Sequence, residues 1–143
     1  MAIAKDTIAS DSVFIAEPWS PEPGNYLETA IKNKALQCTY GLPASEAGMR
    51  YWWFKSSKTF RTRFDTQFIA EKHTIAINLG VGETEAYFQY LDGAALGAEG
   101  YSLWTVAILL DDIWVYIESF NYQTLADGNR AIEAAIAEAI ATK

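Results

Sequence analysis

Among the side chains of this 143-residue sequence, Glu118 has the setting best suited to acid–base chemistry. It lies in the run from Ile113 to Phe120, where a period of two would put Trp114, Tyr116, Glu118 and Phe120 on one side of a strand. A carboxyl group among aromatic rings loses water, and lost water disfavours its charged form, so its pKa should rise. The simpler alternative is a strand-edge glutamate that faces solvent.

Other catalytic chemistry has little to work with. His73 is the only histidine and Cys38 the only cysteine, so a Ser–His or Cys–His pair has a single possible base and no motif around it. With one of each, a transition-metal site would need carboxylates for all its other ligands, and neither a metal nor a cofactor is expected. Gly80-Val81-Gly82 begins like a dinucleotide fingerprint, but Glu85 stands where a third glycine belongs and the segment joins two strands. It reads as a hairpin turn. Gly93, Gly97 and Gly100 make a loop without the Gly-Lys-Ser/Thr that would hold phosphate. The carboxylate pairs Asp111–Asp112 and Glu83/Glu85 fall at predicted turns, where acidic residues serve turn geometry and solubility. Trp52 and Trp53 are adjacent, so on a strand they face opposite ways and cannot form one stacking platform.

The elements that would position these residues follow from pattern. Val13, Phe14 and Ile15 suggest a first short strand, and Pro18, Pro21, Pro23 and Gly24 then break regular structure. Asn25 with Glu28 three residues on has the spacing of a helix N-cap and its reciprocal partner, which predicts a helix over 25–37, followed by a loop through Gly41, Pro43 and Gly48. Strands are predicted at Arg50–Lys55, Thr59–Glu71, Thr74–Leu79, Thr84–Leu91, Tyr101–Leu110 and Asp112–Tyr122. In the second of these the Phe spacing of four also suits a helix, but the interleaved threonines favour a strand. Thr124 with Asp127 resembles a capping box, and Leu125, Ile132, Ile136, Ala139 and Ile140 form the apolar stripe of a C-terminal helix. The fold class is therefore α+β: an antiparallel meander of about six strands packed on a C-terminal helix, with one short N-terminal helix, in a single domain over residues 1–143.

The last hairpin is the most informative. If Asp111 and Asp112 form its tip, Leu110, Ile108, Val106 and Trp104 face Ile113, Val115, Ile117 and Ser119. The other side pairs Leu109, Ala107, Thr105 and Leu103 with Trp114, Tyr116, Glu118 and Phe120. Neither side is polar enough to face water, so both need cover. The C-terminal helix can cover the aliphatic side. The aromatic side is left to the 25–37 helix, a ligand or a second chain, since a large uncovered apolar patch is unusual on a monomer.

Composition narrows the function classes. The net charge of −7 opposes nonspecific duplex binding, although residues 50–72 carry six cations against Asp65 and Glu71, read as a solvated sheet face. Leu103–Leu110 is far shorter than the roughly 20 residues that span a bilayer, so no membrane partner is expected. The N-terminal residues lack a secretory pattern, and with a lone cysteine a cytoplasmic location is expected.

The order strand, helix, sheet, long C-terminal helix is similar to the helix-grip fold of the START and Bet v 1 superfamily, which implies a curved sheet around an apolar cavity. The run Ile113–Ile140 also looks like segments of small phage neck and tail-completion proteins. Two functions are weighed. The first is a non-enzymatic binding or assembly domain, such as a phage or virion component, that engages another protein chain or its own copy through the aromatic face or a sheet edge, with Tyr87, Trp114, Tyr116, Glu118 and Phe120 as contact residues. The alternative is a carrier or enzyme whose cavity, lined by those aromatics, takes an apolar small molecule.

Overall fold

The computed structural model describes residues 13–15, 21–41, 48–93, 102–121, 132–134, 136–137 and 141. Its elements in chain order are β1 (Val13–Ile15), α1 (Tyr26–Lys32), β2 (Leu36–Gly41), β3 (Gly48–Lys55), α2 (Lys58–Phe64), a π-helical turn (Asp65–Ile69), β4 (Thr74–Ala76), β5 (Glu85–Asp92), β6 (Ser102–Leu110) and β7 (Ile113–Phe120). The strands form one antiparallel sheet in the order β1-β2-β3-β7-β6-β5-β4. Two meanders, β1–β3 and β4–β7, are thus joined by the pairing of β3 with β7. The fold is α+β with an antiparallel sheet, as the sequence implies.

Three elements differ from expectation. The predicted strand Thr59–Glu71 is helical, and the cause is local. Ser57 caps α2, its hydroxyl accepting the Phe60 N–H at 3.1 Å, and the Thr62 and Thr66 hydroxyls donate to the carbonyls four residues back, of Lys58 and Thr62. Those bonds remove the threonines' preference for a strand, and Phe60, Phe64 and Phe68 then line one buried face. The helix predicted over 25–37 ends at Lys32, because Lys34 adopts a left-handed φ of 61°, and β2 begins at Leu36 within the expected helix and loop. Asn25 caps α1 as predicted, accepting the Leu27 N–H at 2.8 Å, whereas the Glu28 carboxylate reaches the N–H of Gly24, one residue before the expected partner. β4 keeps only three residues of the strand expected at Thr74–Leu79.

The β6–β7 hairpin has the expected register, from Leu110↔Ile113 and Leu109↔Trp114 through Leu103↔Phe120. Asp111 takes φ 56° at the two-residue tip, a conformation that Asp tolerates better than most residues. On the aliphatic face, Met49, Tyr51, Trp104, Val106, Val115 and Ile117 form a core with Ile132, which is 5 % exposed. Residues 132–134, 136–137 and 141 are helical, and Ala134 and Ile136 pack against that core. The rest of the C-terminal stripe, with Thr124, Leu125, Asp127, Ala139 and Ile140, lies outside the described residues. Trp52 and Trp53 do face opposite ways, Trp52 into the aromatic core and Trp53 into the aliphatic one.

α1 and α2 cover the aromatic face. Phe60, Phe64 and Phe68, stacked on one another along α2 and the π-helical turn, pack with Leu27, Trp52 and Trp114 in a second core, where the Phe64 ring lies tilted with its centroid 4.7 Å from that of Trp114. Both sides of the sheet are therefore covered, the aromatic one by α1 and α2 and the aliphatic one by Ile132, Ala134 and Ile136.

Candidate functional site

Three sequence-predicted site residues end in structural roles. Trp114 is completely buried, its indole N–H donating to Ser56 Oγ at 3.2 Å and its ring lying 5.8 Å from the Arg61 guanidinium. Tyr87 donates its hydroxyl to Glu85 at 2.6 Å, and Arg61 grips the same carboxylate with two bonds of 2.6 and 2.9 Å while also reaching Asp65. Arg61 holds the Glu85 carboxyl below its usual pKa range, and Glu85 in turn raises that of Arg61. Phe120 lies at the other end of the strand beneath the Arg50 guanidinium, 4.6 Å from its ring centre. The aromatic face is thus filled by the chain's own phenylalanines. An open contact face, or an apolar cavity lined by Trp114, Tyr116, Phe120 and Tyr87, is corrected to packed core at Trp114 and Tyr116.

The remaining two residues, Tyr116 and Glu118, belong to a different arrangement. Strand pairing sets Thr74, Gln89, Thr105, Glu118, Arg50 and Thr39 side by side on β4, β5, β6, β7, β3 and β2, one polar row across the helix-covered face. Gln89, Thr105, Glu118 and Thr39 are buried. The neighbouring row is aromatic, and Tyr116 belongs to it. Its hydroxyl donates to Glu118 Oε1 at 3.5 Å and is hydrogen-bonded to the hydroxyl of Tyr26 on α1.

Burial pushes the Glu118 carboxyl up to about 7, against the opposing pull of Arg50, whose Nη1 lies 3.6 Å away, and of the Tyr116 hydroxyl. Burial also raises both tyrosines well above their ordinary value, so they stay neutral. Of the two settings weighed for Glu118, the solvent-facing one gives way to a buried one, and the carboxyl connects through the Tyr116 phenol to that of Tyr26.

Tyr26, its hydroxyl turned inward to Tyr116, is among the residues that line a cleft of about 550 Å3. Phe68, Leu91 and Tyr26 supply its apolar surface, and Gln67 and Gln89 its amide walls. Glu71, Lys72 and His73 complete it, all three exposed. The walls are fixed by the fold: Gln67 accepts the Tyr26 N–H at 2.9 Å and donates to Gly24 O at 3.0 Å, while Gln89 donates to Thr74 Oγ1, which donates to Phe68 O. The π-helical turn sets Phe68 and Gln67 at this position, with the Ala70 N–H bonding to Asp65 O five residues back.

Other sequence candidates are occupied by the chain itself. Glu83 accepts the N–H groups of Leu79, Gly80 and Val81 at 2.7, 3.2 and 2.9 Å, so the Gly80–Gly82 turn cradles its own carboxylate where a phosphate would sit. Gly80 and Gly82 take φ of 70° and 85°, which this turn needs. Asp112 pairs with Lys55, and Arg63 with Glu28, so much of the basic 50–72 segment is neutralised locally. Among the described residues no three His, Cys, Asp or Glu side chains gather as a metal site would require, and no helix is long and apolar enough to cross a membrane.

No protein-family model, curated protein or solved structure matches this chain. Sequence reasoning missed Tyr26, Gln67, Phe68, Lys72 and Gln89 and found no motif around His73. They come from separated segments, and only the four-residue Phe period after Ser57 hinted that Phe68 would turn inward on a helix.

Proposed function

We propose that this protein is a non-enzymatic binding domain and that its ligand, a small molecule, sits in the cleft beside Tyr26. The observation that carries this reading is a preformed cleft of about 550 Å3 lined by Tyr26, the residue whose hydroxyl is the last member of the buried chain Glu118–Tyr116–Tyr26. A desolvated carboxyl and two buried phenols cost stability, and such a cluster packed beside an open cleft is a common mark of a ligand site. No nucleophile–base pair stands at the cleft among the described residues, which favours binding over turnover.

Chain–chain assembly remains a second reading, supported by one edge of the sheet. β4 ends the sheet with only three residues, and its Ile75 is 55 % exposed. Ile77 N–H bonds Ala86 O at 2.9 Å, so antiparallel alternation points the N–H and C=O of Ala76 outward, where another strand could pair. A phage or virion assembly role would use this edge, since the aromatic face is filled.

Native mass spectrometry of protein purified from its own cells separates the two. A bound small molecule, lost in a Leu91→Trp variant that fills the cleft, supports the first reading. A dimer that an Ile75→Lys change dissociates, with no small-molecule adduct, would replace it with the second.

A further inference from the structure

We propose that the cleft selects a small carboxylate with an apolar body, its anionic end held by Lys72 and His73 and its body lying against Phe68, Tyr26 and Leu91. The inference rests on the cleft being the ligand site and adds the class of ligand.

Charge and shape both point this way. The chain carries a net charge of −7, and among the described residues five of the eight lysines and arginines have carboxylate partners: Arg61 with Glu85 and Asp65, Arg63 and Lys32 with Glu28, Lys55 with Asp112, Arg50 with Glu118. Lys72 and His73, adjacent at the cleft, make no ion pair among the described residues. An ammonium and an imidazole side by side can both donate to one carboxylate, and neither has to give up an internal partner to do so. Glu71 is the one carboxylate lining the cleft, and it is exposed to solvent, which weakens its repulsion of an anion. Glu118 lies behind the two phenols, and Arg50 Nη1 at 3.6 Å offsets its charge.

The apolar body follows from the rest of the surface. Leu91 and Tyr26, both half-buried, present this surface, and Phe68, only 2 % exposed, backs it as a fixed ring. Gln67 has both ends of its amide engaged by Gly24 and Tyr26, so it shapes the cleft without moving to meet a ligand. An inorganic anion would leave this apolar surface wet. A neutral apolar molecule would leave the Lys72 ammonium unused.

The test is a titration of the full chain, followed by amide chemical shifts in 15N–1H spectra, with phenylacetate, hexanoate, phenylacetamide and inorganic phosphate. The carboxylates should give saturable shifts at Tyr26, Gln67 and Leu91, and phenylacetate should bind at least about fivefold more tightly than phenylacetamide, the scale of one exposed ion pair with a hydrogen bond beside it. Lys72→Gln should weaken phenylacetate about threefold with an unchanged melting temperature, and leave phenylacetamide unaffected. Equal binding of phenylacetate and phenylacetamide at the cleft would overturn the anion preference while leaving the cleft as the site. Phosphate binding as tightly as phenylacetate would overturn the apolar body. No saturable shift at the cleft with either carboxylate, while a small molecule is still retained by native mass spectrometry, would place the ligand elsewhere and overturn the cleft reading itself.

Discussion

Tyr116 and Glu118, same-face neighbours on β7, are joined by a hydrogen bond of 3.5 Å that is the inner end of a polar chain running to Tyr26. Burial raises the Glu118 pKa against the pull of this bond and of Arg50, and makes the carboxyl a source of pH dependence. A carboxyl whose folded pKa lies above its unfolded one binds protons more tightly when folded, so it favours folding at low pH. That contribution is lost as pH rises from about 4.3 in the unfolded chain to about 7 in the folded one. Urea titrations should therefore show stability falling between pH 5 and 8 by up to roughly 3 kcal/mol. Glu118→Gln should remove most of that slope. An unchanged slope in the variant would mean that Glu118 is not the titrating group.

Trp114→Ala should destabilise the fold by ~3–5 kcal/mol, since it opens a cavity beneath Phe60 and Phe64 and removes a completely buried indole. Equilibrium denaturation measures it. A loss below about 1 kcal/mol would mean that α2 does not cover the aromatic face.

Ser57→Ala should cost about 1 kcal/mol, because the Phe60 N–H at the start of α2 loses its acceptor. A strand over the same residues would have no cap to lose and would tolerate the change within about 0.5 kcal/mol. Denaturation of this variant thus tests the helix that replaced the strand predicted from sequence.

The Arg61–Glu85 pair should matter less than its geometry suggests. Both side chains are about a third exposed, at 36 % and 28 %, so solvent screens the interaction. A double-mutant cycle with Arg61→Gln and Glu85→Gln should give a coupling of about 1 kcal/mol. A coupling near 4 kcal/mol would show the pair to be far better shielded than this.

The sequence made the β6–β7 register legible because a two-residue tip and a strict period of two leave one solution, and it made clear that both sheet faces need cover. It made Ile132 legible too, through the stripe it shares with Ile136. It misled at residues 59–71, where Phe60, Phe64 and Phe68 satisfy a strand and a helix equally and the deciding hydrogen bonds, from Ser57 and the threonines, are invisible to propensity. Of the candidate site, Tyr116 and Glu118 were legible as strand neighbours. The cleft was not, because Tyr26, Phe68 and Gln89 meet only through the packing of α1 and the π-helical turn on the sheet.

The most direct test of the account is to map where ligand binds. Small molecules extracted from the protein's own cells, added to 15N-labelled protein, should shift the amides of Tyr26, Phe68, Gln89 and Leu91 in a saturable way and leave Ile75 and Leu36 unmoved. Shifts confined to Thr74–Ala76, with line broadening that grows with protein concentration, would contradict it and point instead to association through the β4 edge.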